Sequence, residues 1–85
     1  MALIEIYVKT TCPYCMRARR LLDEKRVEYT ALVVDFDAEK RQEMIQRANG
    51  RSTVPQIFIG GKHIGGCDHL MALEQRGKLD ELIAA

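Results

Sequence analysis

The sequence predicts an α/β fold: a four-stranded mixed sheet with helices on both faces, in the order β-α-β-α-β-β-α. Three observations carry this prediction. Short apolar or β-branched runs alternate with stretches of helical periodicity. A Gly60-Gly61 pair separates two strand-like runs, which signals a hairpin. The 85 residues suit one domain, 1–85, so every element must share one modest core.

Each element has its own signal. Leu3 to Val8 is an apolar run with one Glu, short enough for a buried strand. Thr10-Thr11 ends it. From Pro13 the pattern turns helical, with Cys15, Ala18, Leu21 and Leu22 on one face. Proline suits the first helical position, where its missing N–H leaves nothing unpaired. Val27 to Asp35 is rich in β-branched residues and predicts a second strand. Asp37 is placed to cap a second helix, with Ala38, Arg41, Ile45 and Ala48 along its inner stripe. Asn49-Gly50 supplies the left-handed geometry that ends it. Thr53-Val54-Pro55 leads into a third strand, Gln56 to Ile59, and Lys62-His63-Ile64 forms the fourth. A last helical stretch starts at about Cys67, with Leu70 and Leu73 inward. Gly77 interrupts it, and Leu79, Leu82 and Ile83 predict a final turn that packs back. The first two strands are joined through a helix, so they should be parallel with a right-handed crossover. The hairpin adds two antiparallel strands.

Composition narrows the function. The formal net charge is +1, which gives no footprint for nucleic acid or an anionic membrane surface. No run approaches the roughly 18 apolar residues of a membrane span. The N-terminal residues lack the basic region of a signal peptide. A reducing cytoplasm is therefore the expected compartment. The three cysteines are an odd count, and Cys12 and Cys15 lie within one helical turn. A bond closing so short a loop restrains the unfolded chain little, so these cysteines are expected to be chemical rather than architectural.

Cys12-Pro13-Tyr14-Cys15 sits where the first strand hands over to the first helix. Cys12 takes an N-cap position, facing free backbone N–H groups and the positive dipole end. Lys9, Arg17, Arg19 and Arg20 add positive charge nearby. All of this favours the thiolate, which is the nucleophile. Cys15 falls on the apolar face, where burial should hold it as the thiol. The spacing brings the two α-carbons to about 5–6 Å, suitable for a disulfide. Cys12 is thus expected to attack and Cys15 to resolve. The competing reading is a zinc site in which Cys67 and His69 complete the set. Pro-Tyr opening a helix after a strand is unlike the tight glycine turn of a zinc knuckle.

Thr11-Cys12-Pro13-Tyr14-Cys15, Thr53-Val54-Pro55 and Gly65-Gly66-Cys67-Asp68 stand in the order and spacing of the dithiol glutaredoxins, and over essentially the whole chain the sequence resembles their small bacterial members. The resemblance implies a thioredoxin-like fold and an enzyme: a glutathione-disulfide oxidoreductase acting on protein disulfides and glutathione mixed disulfides. Cys12 and Cys15 are then the catalytic pair. Lys9, Tyr14, Thr53, Val54, Pro55, Gly66, Cys67 and Asp68 are the expected glutathione-binding residues. Val54-Pro55 resembles the family's cis-proline loop, with Val54 free to pair with the tripeptide backbone. Taken alone, Pro55 would be an ordinary proline at a strand start. Gly65 to Asp68 resembles the site for the γ-glutamyl end, though Asp68 also suits the helix dipole simply as a first-turn acid. Lys9, with Arg41 or Gln42, is placed to meet the glycine carboxylate; an exposed Lys is otherwise just solvated. Tyr14 would pack on the tripeptide, or stand as a half-exposed aromatic at a helix start. Cys67 is expected to contribute its backbone, and His63 and His69 to be surface residues. The implied partners are glutathione as co-substrate and disulfide-containing or glutathionylated proteins, with no permanent cofactor or metal, and a monomer is expected. The alternative class is an iron-sulfur cluster or zinc carrier. Pro13 stiffens the loop and speaks against it.

Overall fold

A computed structural model describes residues 1–85. The elements are β1 (Ile4–Val8), α1 (Pro13–Glu24), β2 (Thr30–Val33), α2 (Ala38–Arg47), β3 (Gln56–Ile59), β4 (Lys62–Gly65), α3 (Cys67–Gln75) and α4 (Leu79–Ala84). The sheet order is β2-β1-β3-β4. β1 runs parallel to β2 and antiparallel to β3, and β3 and β4 form the hairpin. This is the mixed sheet the pattern predicts. Gly60 and Gly61 both have positive φ, at 60° and 79°, which the tight hairpin turn requires.

Alternation along β1 and β3 divides the core in two. Ile4, Ile6, Val8, Ile57 and Ile59 face α1, α3 and α4, where they join Cys15, Ala18, Leu22, Leu70, Leu79 and Ile83. Tyr7 and Phe58 point to the opposite face and pack with Val34, Met44 and Ala48 under α2. Burying a side chain such as Leu22 stabilises the fold by roughly 1.5–3 kcal/mol.

The α2 face is also polar. Arg47 donates to both Glu5 carboxylate oxygens, at 2.9 and 3.3 Å, and to the Tyr7 hydroxyl at 2.8 Å. Its guanidinium lies 4.1 Å from the Phe58 ring centroid. The Tyr7 hydroxyl in turn donates to Glu43. Burial, followed by the Glu43 contact, pushes the Tyr7 phenol up.

Three expectations need correction. The second strand forms over 30–33 rather than 27–35, because only those residues have partners on β1. In α2 the buried stripe is Met44 and Ala48, and Ile45 is only half-buried. His63 is not a free surface residue. It is half-buried, stacks on Phe58 with centroids 5.1 Å apart, and shares a 2.7 Å hydrogen bond with Gln56.

Candidate active site

β1 ends in the Lys9–Thr11 loop, which delivers Cys12 to the N-terminus of α1. Cys12 has extended backbone geometry and caps the helix through its own sulfur. The Cys15 N–H donates to Cys12 Sγ at 3.1 Å. The sulfur thus takes the place of a capping side chain and pairs one of the free N–H groups of the helix start. Pro13 occupies the first helical turn, as its locked φ favours.

The two cysteines differ as the helical phase requires. Cys12 keeps 7% of its surface exposed and Cys15 keeps 1%. Burial, then the contact with Cys12, pushes the Cys15 thiol up to about 12. Cys15 is therefore a thiol at neutral pH, one turn below the less deeply buried Cys12. Cys67 is also buried, and burial raises its thiol too.

Two loops face Cys12. The Val54-Pro55 peptide bond is cis. The Cys12 thiol donates to the Val54 carbonyl at 3.8 Å. On the other side Gly66 precedes α3, whose first residues are Cys67 and Asp68. Tyr14, Thr53, Val54, Pro55, Gly66, Cys67 and Asp68 line one groove of about 150 Å³ beside the dithiol. Seven of the eight expected binding residues are thus brought together. Lys9 is not among them, and Gln42 lies with Glu39, Glu43 and Gln46 on the outer side of α2.

Arg51 and His69 complete the groove and escaped the sequence reading. Arg51 carried a signal, since it stands two residues before Thr53 with no acidic neighbour. His69 is the third residue of α3, and its Nδ1 accepts the Gly66 N–H at 3.3 Å. The ring sits where a side chain at Gly65 would go. A Cβ there would lie 2.6 Å from Nδ1, and the φ of +117° already favours glycine.

No three of the Cys, His, Asp and Glu side chains converge as a metal-ligating group, so the zinc set of Cys12, Cys15, Cys67 and His69 is not assembled. A larger hollow of about 870 Å³, between the N-terminal residues, Tyr29 and α1, contains none of the cysteines. No helix is long and apolar enough to cross a membrane.

With this geometry in place, the family profile for glutaredoxins matches residues 4–64, which includes both cysteines and the Val54-Pro55 loop. The chain belongs to the glutaredoxin family. It is 59% identical over 83 residues to glutaredoxin 3 of Escherichia coli strain K12, covering 98% of this chain and 99% of that protein. A probable glutaredoxin of Synechocystis is 54% identical over 82 residues, covering 96% and 93%. Among solved structures, a buckwheat glutaredoxin-glutathione complex superposes with a TM-score of 0.88 at 35% identity, covering 98% of this chain and 77% of that one. The solution structure of a Brucella melitensis glutaredoxin gives 0.85 at 49% identity, covering 98% and 89%. The fold is thioredoxin-like, as expected. This glutaredoxin is accordingly a glutathione-dependent thiol-disulfide oxidoreductase with a Cys-Pro-Tyr-Cys dithiol.

Proposed function

We propose that Cys12 is the catalytic nucleophile, Cys15 the resolver, and the groove beside them the glutathione site of a single domain spanning 1–85. The observation that carries this is the asymmetry of the pair. Cys12 keeps 7% of its surface exposed and its sulfur accepts a helix-start N–H, whereas Cys15, one turn below, keeps 1%.

The Cys12 thiolate attacks one sulfur of a substrate disulfide. A Cys12 mixed disulfide forms, and the other substrate sulfur leaves as a thiolate and takes a proton from water. Cys15 loses its proton as it attacks Cys12 Sγ, and the second substrate thiolate departs. The resulting Cys12–Cys15 disulfide is opened by glutathione at Cys12. A second glutathione releases oxidised glutathione and restores the Cys12 thiolate. On a glutathione mixed disulfide, Cys12 alone takes the glutathionyl sulfur and the protein thiol leaves.

The groove chemistry supports the tripeptide. Val54 offers backbone groups for antiparallel pairing, and Thr53 and Pro55 fix its loop. The free N–H groups at the start of α3, at Cys67 and Asp68, suit the γ-glutamyl carboxylate. The Asp68 carboxylate suits the α-amino group, and Gly66 lets the backbone come close. Tyr14, 58% exposed at the groove edge, offers its ring face. Lys9 acts from outside the lining as a long-range charge.

The protein substrates are disulfide-containing or glutathionylated proteins. The enzyme works in the cytoplasm as a monomer, with glutathione as co-substrate and no resident cofactor. The test is to couple the protein separately to NADPH with glutathione reductase and glutathione, and to NADPH with thioredoxin reductase. Turnover is expected with the first system. Turnover with the second alone would overturn the glutathione assignment.

A further inference from the structure

The Thr53–Pro55 loop forms one wall of the groove, yet it has few anchors. None of residues 52–55 takes part in a backbone–backbone hydrogen bond. Two side-chain contacts hold the loop instead. One is the Cys12 thiol on the Val54 carbonyl. It needs the Sγ proton, so it is lost whenever Cys12 is the reactive thiolate. The other is Gln56, whose Nε2 donates to the Thr53 carbonyl at 3.0 Å and to the Thr53 hydroxyl at 3.2 Å.

Gln56 is fully buried, at 0% exposure, among the apolar residues Ile57, Phe58 and Ile59 of β3. Burying an amide is costly unless its groups are paired. An apolar side chain would fill the position without that cost. Here the amide is fully used. Its two N–H groups go to Thr53, because a carbonyl oxygen only accepts. The amide oxygen must then face His63, 2.7 Å away, and His63 Nε2 must be the donor. The imidazole is itself held against Phe58, opposite it on the neighbouring strand. Burial, with Arg51 and His69 nearby, depresses the His63 imidazolium. Nε2–H remains a donor in the neutral ring.

We propose that Gln56 is a positioning residue for glutathione: it holds the Thr53–Val54 backbone at the angle the tripeptide pairs with, and His63 locks the Gln56 amide in that orientation. This rests on the groove being the glutathione site. Neither residue touches the reacting sulfurs. Their effect should appear in substrate affinity rather than in exchange chemistry.

The experiment compares two probes. One is the mixed disulfide of glutathione with 2-mercaptoethanol, read as KM and kcat at steady state. The other is oxidised 2-mercaptoethanol, which lacks the tripeptide, read as a single-turnover rate at Cys12. Gln56→Leu should raise KM for the first probe about fivefold, the effect of one hydrogen bond. It should leave kcat and the second probe within about twofold. His63→Leu should act in the same direction. His63→Gln, which keeps an N–H donor, should restore KM. Equal losses on both probes, or an unchanged KM in Gln56→Leu and His63→Leu, would overturn the proposal. If Gln56→Leu does not fold, His63→Leu on the edge strand β4 decides. If wild type reacts with oxidised 2-mercaptoethanol but shows no saturation with the glutathione probe, the groove assignment falls and this proposal with it.

Discussion

Asp35 and Thr10 tie the end of β2 to the loop that presents Cys12: one carboxylate oxygen of Asp35 accepts from the Thr10 N–H at 3.1 Å and from its hydroxyl at 2.6 Å. These bonds hold the Asp35 carboxyl below the usual carboxylate range. A depressed folded-state value means the contribution to stability is present above the unfolded value, about 3.9. It is lost as the pH falls through the still lower folded value. Asp35→Asn should therefore lower Tm at pH 7. The gap to wild type should close below about pH 4. Thermal unfolding across about pH 2–7 reads this directly, and a gap that does not narrow as the pH falls below about 4 would exclude the electrostatic origin.

The cysteine pair gives a sharper contrast. Cys12→Ser should abolish reduction of both protein disulfides and glutathione mixed disulfides. Cys15→Ser should keep the second activity and lose the dithiol route. At pH 7 a thiol held at about 12 is ionised to about one part in 10⁵. Brief iodoacetamide treatment of the reduced protein should thus label Cys12 and spare Cys15, as mass spectrometry of the digest would show. Preferential labelling of Cys15 would reverse the assigned roles.

Arg51 lines the groove and Lys9 does not. Arg51→Ala should raise KM for a glutathione mixed disulfide about fivefold, by removing a charge-assisted hydrogen bond to a carboxylate. Lys9→Ala should raise it about twofold, as expected of an exposed long-range charge. The Lys9 effect should fade in 0.5 M salt. Steady-state kinetics at two ionic strengths would separate the two cations.

Arg47 joins Glu5, Tyr7 and Phe58 on the opposite face of the sheet from the dithiol helix. Arg47→Met keeps the stem but leaves Glu5 and Tyr7 without their donor. A loss of about 2 kcal/mol is expected. For a domain of this size that lowers Tm by roughly 8–16 °C. The kinetic constants should hold, since the network lies outside the groove.

The Arg47 network also marks where the sequence stops being legible. Glu5 is visible as a lone charge in an apolar strand, but its partner is 42 residues away and is set by the docking of α2. The order of elements along the chain, the Gly60-Gly61 turn and the Cys12 cap were legible, because each depends on neighbours in the chain. The α2 stripe slipped to Met44 because Arg47 needs the sheet face, which turns Ile45 partly outward. His63 looked like a hairpin surface residue because nothing local shows that Gln56 points at it. The groove was legible as three motifs, and its seven shared lining residues confirm their convergence. His69 entered through tertiary placement alone, whereas Arg51 stood two residues before Thr53 in the sequence without being singled out.

Gly65 and His69 illustrate how such a groove can drift over time. Any side chain at position 65 meets the imidazole ring before it meets anything else. A smaller residue at 69 would open that space but leave the Gly66 N–H without its acceptor. Position 65 is therefore constrained twice, by the imidazole and by its φ of +117°, and 69 can change only at the expense of the turn that shapes the groove. Lineages that keep this turn are expected to keep both residues, and the glycine is expected to persist even where 69 has changed.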